Sequence, residues 1–131
     1  MTEPIWFAYE YESVWSDLYS KCDSDMQCTI DNRLDALREK GNSAPESVWR
    51  HCEDGIFELR AENARFLFYF SERRSIVFVH SLFWNRDDLP RKDFELARKR
   101  RGEIARLELK SNALPDQKRS RAQVERQELS S

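Results

Sequence analysis

Apolar residues recur along this chain in two different periods, and the period changes several times. Ile5-Trp6-Phe7-Ala8-Tyr9 is short, apolar and aromatic, and reads as a first strand. Between Glu12 and Ser20 the residues Val14, Trp15 and Leu18 fall at helical spacing and predict a short helix. Asp23-Ser24-Asp25 then offers N-cap side chains. Behind it Met26, Ile30, Leu34 and Leu37 form one apolar stripe of a longer helix. Gly41 stops that helix, because glycine enters the left-handed cap without a Cβ penalty.

After a loop holding Asn42, Ser43 and Pro45, and then Val48-Trp49, Gly55 opens a run of three strands. These are Ile56–Arg60, Arg65–Phe70 and Ile76–Phe83, separated by the polar turns Ala61-Glu62-Asn63 and Ser71-Glu72-Arg73-Arg74. Turns that short make the strands antiparallel neighbours. Pro90 suits the first position of a last helix, in which Phe94, Ala97, Arg101 and Ile104 share a side. That side is weakly apolar and heavily basic, so the helix is expected to pack shallowly or present charge. The predicted order is β-α-α-β-β-β-α: an α+β fold in which a small antiparallel sheet carries its helices on one face.

Length and composition narrow the picture. The 131 residues fit one domain, 1–107, followed by a basic polar tail, 108–131, that is mobile or partly helical. No run approaches the roughly 20 apolar residues that span a bilayer. Met1-Thr2-Glu3-Pro4 has no basic stretch leading into an apolar one, so a cytoplasmic location is expected. The net charge of -2 hides a split. Residues 1–70 carry -7 and residues 71–131 carry +5, which points either to a polyanion-facing half or to a solvated charged helix.

The three cysteines, Cys22, Cys28 and Cys52, are an odd number, against a disulfide framework. With His51 they offer four zinc-ligand types, but their spacing matches no common closed motif. Reduced thiols, no metal and no cofactor are the expectation.

Several segments carry a resemblance. Gly55-Ile56-Phe57-Glu58-Leu59-Arg60 followed by Ala64-Arg65-Phe66-Leu67-Phe68-Tyr69-Phe70 resembles the core of the phage-derived branch of HigB-like toxins, within the HigB/RelE family. The apolar strand ending His80-Ser81-Leu82-Phe83, the segment Pro90–Arg98, and the helix-glycine-proline run from Ile30 to Pro45 follow in the family's order. The resemblance covers roughly residues 5–107. It implies a RelE-like fold and the toxin of a type II toxin-antitoxin system. Such a toxin is a metal-independent endoribonuclease that cuts messenger RNA, usually on the ribosome, and so inhibits translation. Its partner would be a HigA-like antitoxin, typically a helix-turn-helix protein. In that chemistry a 2′-hydroxyl attacks the adjacent phosphate, and the protein supplies proton transfer and positive charge.

Arg60 and Arg65 occupy the best-matched motif positions, and strand alternation turns both away from the neighbouring Phe and Leu side chains. They are the first catalytic candidates, because a guanidinium stays charged and grips phosphate in a fork. Pairing with Glu58 or Glu62 is the competing role. Tyr69 shares the face of Arg65 and suits base stacking or proton transfer, or else belongs to the core. His80 suits acid-base work, yet alternation puts it with Ile76, Phe78 and Leu82, as a hydrogen-bonded core histidine would be. Glu58 is a possible general base, or simply an arginine's partner.

One departure stands out. Where the family commonly has two adjacent lysines, this chain has Trp84-Asn85-Arg86 followed by Asp87-Asp88. Arg86, with Arg91, Lys92 and Arg98 from the last helix, is expected to bind RNA in their place, and Lys99-Arg100-Arg101 is either a nucleic-acid patch or a solvated helix end. A catalytically degenerate member of the fold, binding RNA, the ribosome or a protein, is the alternative.

Overall fold

The computed structural model describes residues 6–45, 48–72 and 74–111, with side chains described as far as residue 106. The elements are β1 (Phe7–Glu10), α1 (Val14–Tyr19), α2 (Ser24–Lys40), a 3-10 turn (Gly41–Ser43), β2 (Trp49–Glu53), β3 (Ile56–Ala61), β4 (Ala64–Ser71), β5 (Ser75–Phe83) and α3 (Arg91–Ser111). Residues 112–131 of the expected tail lie outside the described residues, and the last helix runs on to Ser111, beyond the expected boundary at 107.

Local chemistry explains the helix ends. The Asp23 carboxylate accepts from the Met26 N–H at 2.8 Å and caps α2, a contact of about 1 kcal/mol. Gly41 closes α2 at φ +58, with its N–H returned to the Leu37 carbonyl. At the start of α1 the Glu10 carboxylate accepts from the N–H groups of Trp15 and Ser16, both at 3.0 Å. That cap comes from the end of β1 and fixes how the chain turns out of the sheet.

Five strands form one sheet in the order β1-β5-β4-β3-β2. The three expected hairpin strands are antiparallel, as their turns require. β1 pairs with β5 in parallel, so the sheet is mixed. β2 is an additional antiparallel edge strand on β3 that the apolar pattern did not reveal. Its sequence, Trp-Arg-His-Cys-Glu, is mostly polar because it has little to bury, and its register slips between His51 and Glu53.

Helices cover both faces of the sheet, not one. On the first face α1 and α2 bring Trp15, Leu18, Ile30 and Leu37 against Leu59, Phe66, Phe68 and Phe78. The Trp15 ring centroid lies 4.3 Å from that of Phe66 and 4.6 Å from that of Phe78. On the second face α3 sinks Phe94, Ala97 and Ile104 among Ile56, Leu67, Tyr69, Val77 and Val79. Those three helix residues are at most 4% exposed, so α3 is firmly packed despite its basic composition. The physical reason is that β4 and β5 are apolar on both faces, and a sheet like that needs two covers.

Candidate functional site

α3 crosses the second face over β4 and β5 and leaves the β2–β3 side of that face open. Two adjoining clefts share Arg50 and Glu58 in their linings, one on this open side and one at the sheet edge beside β2. One, of about 270 Å³, is walled by His51, Cys52, Asp87 and Arg91. The other, of about 330 Å³, lies at the head of β2 between Arg33, Trp49, Arg60 and Glu62. Strand register explains the arrangement: Arg50 stands opposite Glu58, and Arg60 opposite Arg65.

Glu58 and Arg65 form a buried ion pair beneath these clefts. One guanidinium nitrogen, Nη1 of Arg65, donates to both Glu58 oxygens at 3.0 and 3.1 Å. Exposure is 0% for Arg65 and 1% for Glu58. Nη2 of Arg65 donates to the Arg86 carbonyl, so the same guanidinium ties the loop after β5 to the cleft floor. Burial pushes the Glu58 carboxyl up, and the neighbouring Arg65, Arg50 and Arg60 charges oppose that rise. Burial likewise pushes the Cys52 thiol up to about 12, with the Glu58 charge adding to it.

Arg65 therefore does not reach the surface as its strand alternation implied. It faces away from the phenylalanines as expected, but the loop after β5 covers it. Arg60 stays accessible: its Nη1 lies 3.4 Å from the Asp87 carboxylate, and its side chain is 33% exposed. Tyr69 is buried in the core under α3, with Leu67 and Val77.

His80 lies on the opposite face from the one alternation predicted. A bulge between β4 and β5 pairs Phe68 with Phe78 but Leu67 with His80, so Val79 is an extra residue in β5. The extra residue reverses the alternation. His80 thus points to α3, while Ser81 points to α1 and donates to the Val14 carbonyl at 2.5 Å. Nε2 of His80 is 2.7 Å from Asp93, and Nδ1 is 3.3 Å from the Arg100 guanidinium. Because Arg100 can only donate, Nδ1 accepts and Nε2 carries the proton to Asp93. Both ring nitrogens are occupied, and His80 lines neither cleft.

The basic residues of α3 are largely matched by acids. Arg91 pairs with Glu53 at 3.0 Å and with Glu95 at 2.8 Å. Arg98 and Arg101 both hold Asp54, at 2.8 and 2.9 Å. These contacts clamp the β2–β3 hairpin onto α3, and Arg100 lies over the Tyr11 ring. Lys92 and Arg86 are exposed, Arg86 against the Trp84 ring. The expected polyanion patch on α3 is thus mostly an internal ion-pair seam.

The structure brings Arg60 and Arg65 together beside Glu58, ties the Arg86 carbonyl but not its side chain to Arg65, and puts Arg91 at the cleft wall. It places His80 and Tyr69 elsewhere. Arg50 and Arg33 were missed, since one sits on the unrecognised edge strand and the other on an otherwise ordinary helix. Among the described residues no group of three His, Cys, Asp or Glu side chains is placed to hold a metal ion. The candidate zinc ligands are not gathered: Cys28 lies on α2, and His51 and Cys52 on β2. No described helix is long and apolar enough to cross a membrane.

Comparison with known proteins adds the family. The family described as phage-derived protein Gp49-like matches residues 19–102. No curated protein matches the chain. Among solved structures, the toxin-antitoxin complex RelBE2 from Mycobacterium tuberculosis is similar at 10% identity and a TM-score of 0.42, covering 66% of this chain and 100% of that one.

Proposed function

The chain belongs to the phage-derived Gp49-like family, the RelE/HigB-like toxin branch that its motifs resemble, and on that premise we propose that it cleaves messenger RNA as the toxin of a type II toxin-antitoxin pair. The observation that supports this reading best is Glu58: a carboxylate at the junction of two clefts, raised by burial and ringed by Arg50, Arg60 and Arg65. A carboxylate raised in this way is a better proton acceptor than an ordinary surface glutamate.

In the proposed reaction the 2′-hydroxyl of a nucleotide in the cleft gives its proton to Glu58 and attacks the adjacent phosphate. Arg60 and Arg50 stabilise the crowded phosphorane as fixed positive charges. The bond to the 5′-oxygen breaks, and that oxygen takes its proton from water at the open mouth. No metal is needed. Arg65 acts as a positioning residue that holds Glu58 and the Arg86 loop in register. Arg86 and Lys92 contact phosphates outside the reacting bond. Arg91 and Arg98 join them only by giving up Glu53, Asp54 and Glu95, so their net contribution is smaller. A HigA-like antitoxin would restrain the activity, which would act on messenger RNA in the cytoplasm, typically on the ribosome.

A non-enzymatic RNA- or protein-binding role is the second reading. It is favoured by the carboxylates of Asp87 and Asp88 at the cleft, where the family's lysine pair would attract phosphate. Incubation of the purified chain with single-stranded RNA in a chelator separates the two. Cleavage leaving 2′,3′-cyclic phosphate and 5′-hydroxyl ends, abolished in Glu58→Gln and Arg60→Ala, supports the nuclease. Binding without new ends, on and off the ribosome, supports the binding module.

A further inference from the structure

Most side chains of α3 are spoken for. Phe94, Ala97 and Ile104 enter the core, and Arg91, Arg98 and Arg101 reach sideways to Glu53, Asp54 and Glu95. On the other flank Asp93 and Arg100 hold His80, and Glu103 accepts from the Tyr11 hydroxyl at 3.2 Å. These contacts leave one outward stripe. Lys92, Lys99 and Arg106 each stand two positions from a core residue, about 200° around the helix, and recur every seven residues. All three are exposed, and among the described residues none of them makes an ion pair. Gly102 lies on the exposed side between Lys99 and Arg106. Glycine weakens a helix interior relative to alanine, and nothing inside this protein requires it there. Its backbone is not left-handed, and a Cβ would meet no atom within 4 Å. A bare backbone on a cationic outer surface suits the close approach of another chain.

Resting on the RNA-cleaving reading, we propose that the outward stripe of α3 is a track for the RNA strand flanking the cut, with Lys92, Lys99 and Arg106 meeting its phosphates and Gly102 letting its backbone lie close. The stripe starts at the cleft, since Lys92 follows Arg91, which forms part of the cleft wall. From there it leads away along the helix, so a strand held in the cleft can continue onto it. Lys92 and Arg106 are separated by about 21 Å along the axis, which a stacked strand at about 3.4 Å per nucleotide covers in about six nucleotides. Each cation therefore meets roughly every third phosphate. Phosphate contacts of this kind carry no sequence information, so the track adds affinity and orientation without base preference. RNA fits better than an acidic protein because the four residues of the stripe include no apolar anchor, which a protein partner's binding centre needs.

The test uses the full-length chain and single-stranded RNA 2′-O-methylated throughout, which lacks the attacking hydroxyl and cannot be cut. Binding of a trinucleotide, which fills the cleft alone, and of a dodecanucleotide, labelled alike, is followed by fluorescence anisotropy across a salt series. Lys99→Gln/Arg106→Gln keeps the helix and removes two charges that touch nothing else. It is expected to weaken dodecanucleotide binding at least about tenfold at 0.1 M salt and to lower the salt slope by roughly 1.4, the value for two phosphates of a single strand. Trinucleotide binding should change less than about twofold, because neither residue lines the cleft. Gly102→Gln fills the bare backbone with a better helix former, so Tm should hold or rise while dodecanucleotide binding falls about fivefold or more. Folded variants that bind the dodecanucleotide as the wild type does, while Arg60→Ala loses trinucleotide binding, would overturn the track, leave the RNA-cleaving reading standing and assign the stripe to a protein partner. A wild-type chain that binds neither RNA would overturn both.

Discussion

Removing the Arg65 side chain tests the buried pair on which the site is built. In Arg65→Ala the Glu58 carboxylate would stay at 1% exposure without its guanidinium, and the Arg86 carbonyl would lose its donor. Breaking a buried pair on one side costs about 3–5 kcal/mol. For a domain of this size that is a drop in Tm of about 12 °C or more. The loss should depend on pH. Burial already raises the Glu58 carboxyl, and the Arg65 charge opposes the rise, so deleting Arg65 raises it further. A carboxyl raised in the folded state contributes stability that is present below its unfolded pKa and lost as pH climbs through the folded one. The variant's deficit should therefore be small near about pH 4.5 and widen toward neutrality. Urea denaturation followed by tryptophan fluorescence at the two pH values measures it. Glu58→Gln/Arg65→Met, which replaces both charges, should recover most of the neutral-pH loss. An Arg65→Ala chain that loses less than about 1 kcal/mol, with no dependence on pH, would show that Arg65 is solvated and would refute the buried-pair reasoning.

Further expectations concern single side chains. Gly41→Ala combines a left-handed backbone with a Cβ that would overlap the Trp6 indole, and should cost about 3 kcal/mol or more by thermal denaturation; a loss below 1 kcal/mol would mean that Trp6 moves aside at little cost. His80→Ala removes the Asp93 contact and should cost about 1–2 kcal/mol, with cleavage per folded molecule unchanged; a rate loss of a hundredfold or more would put His80 in the active site. Asp87→Asn frees Arg60 and should strengthen RNA binding a few-fold at low salt, an effect that fades as salt is added; no change would remove Arg60 from the binding surface. The cleavage rate should rise with pH through a value above the ordinary glutamate pKa of about 4.3, since only the ionised Glu58 accepts a proton; an acid limb at or below that value would exclude Glu58 as the base.

How far these features were legible in the chain varies with the physics behind each. Asp23, the Met26-to-Leu37 stripe and Gly41 announced α2, because capping and helical period act over a few residues. The hairpin strands were equally plain, since short polar turns leave no other pairing. β2 was not, because an edge strand with little to bury carries no apolar alternation. Of the two expectations for α3, shallow packing or presented charge, the shallow packing failed for a related reason: Phe94, Ala97 and Ile104 suffice when the sheet below is apolar on both faces.

At the site, alternation placed Arg60 and Arg65 on the correct face but could not show that the loop after β5 closes over Arg65. That closure is a tertiary contact between Arg65 and the Arg86 carbonyl, 21 residues away. His80 was put on the wrong face because one bulged residue inverts every position after it, and nothing in Val79-His80 marks a bulge. The charge split between the chain's halves was real in composition. Its meaning emerged only from the hairpin acids Glu53 and Asp54, which neutralise much of α3.

Induced expression in bacterial cells, with RNA 5′ ends mapped across the transcriptome, tests the central claim most directly when wild type is compared with Glu58→Gln. The Gln side chain keeps the shape of the cleft floor and an oxygen for Arg65 to donate to. It removes both the proton acceptor and the buried charge that Arg65 pairs with, so the comparison is made at equal levels of folded protein. Growth arrest with new 5′ ends inside coding regions, both absent in soluble Glu58→Gln, is the predicted result. Soluble wild-type protein that produces no new ends, or a Glu58→Gln chain that cuts as well as wild type, would contradict it.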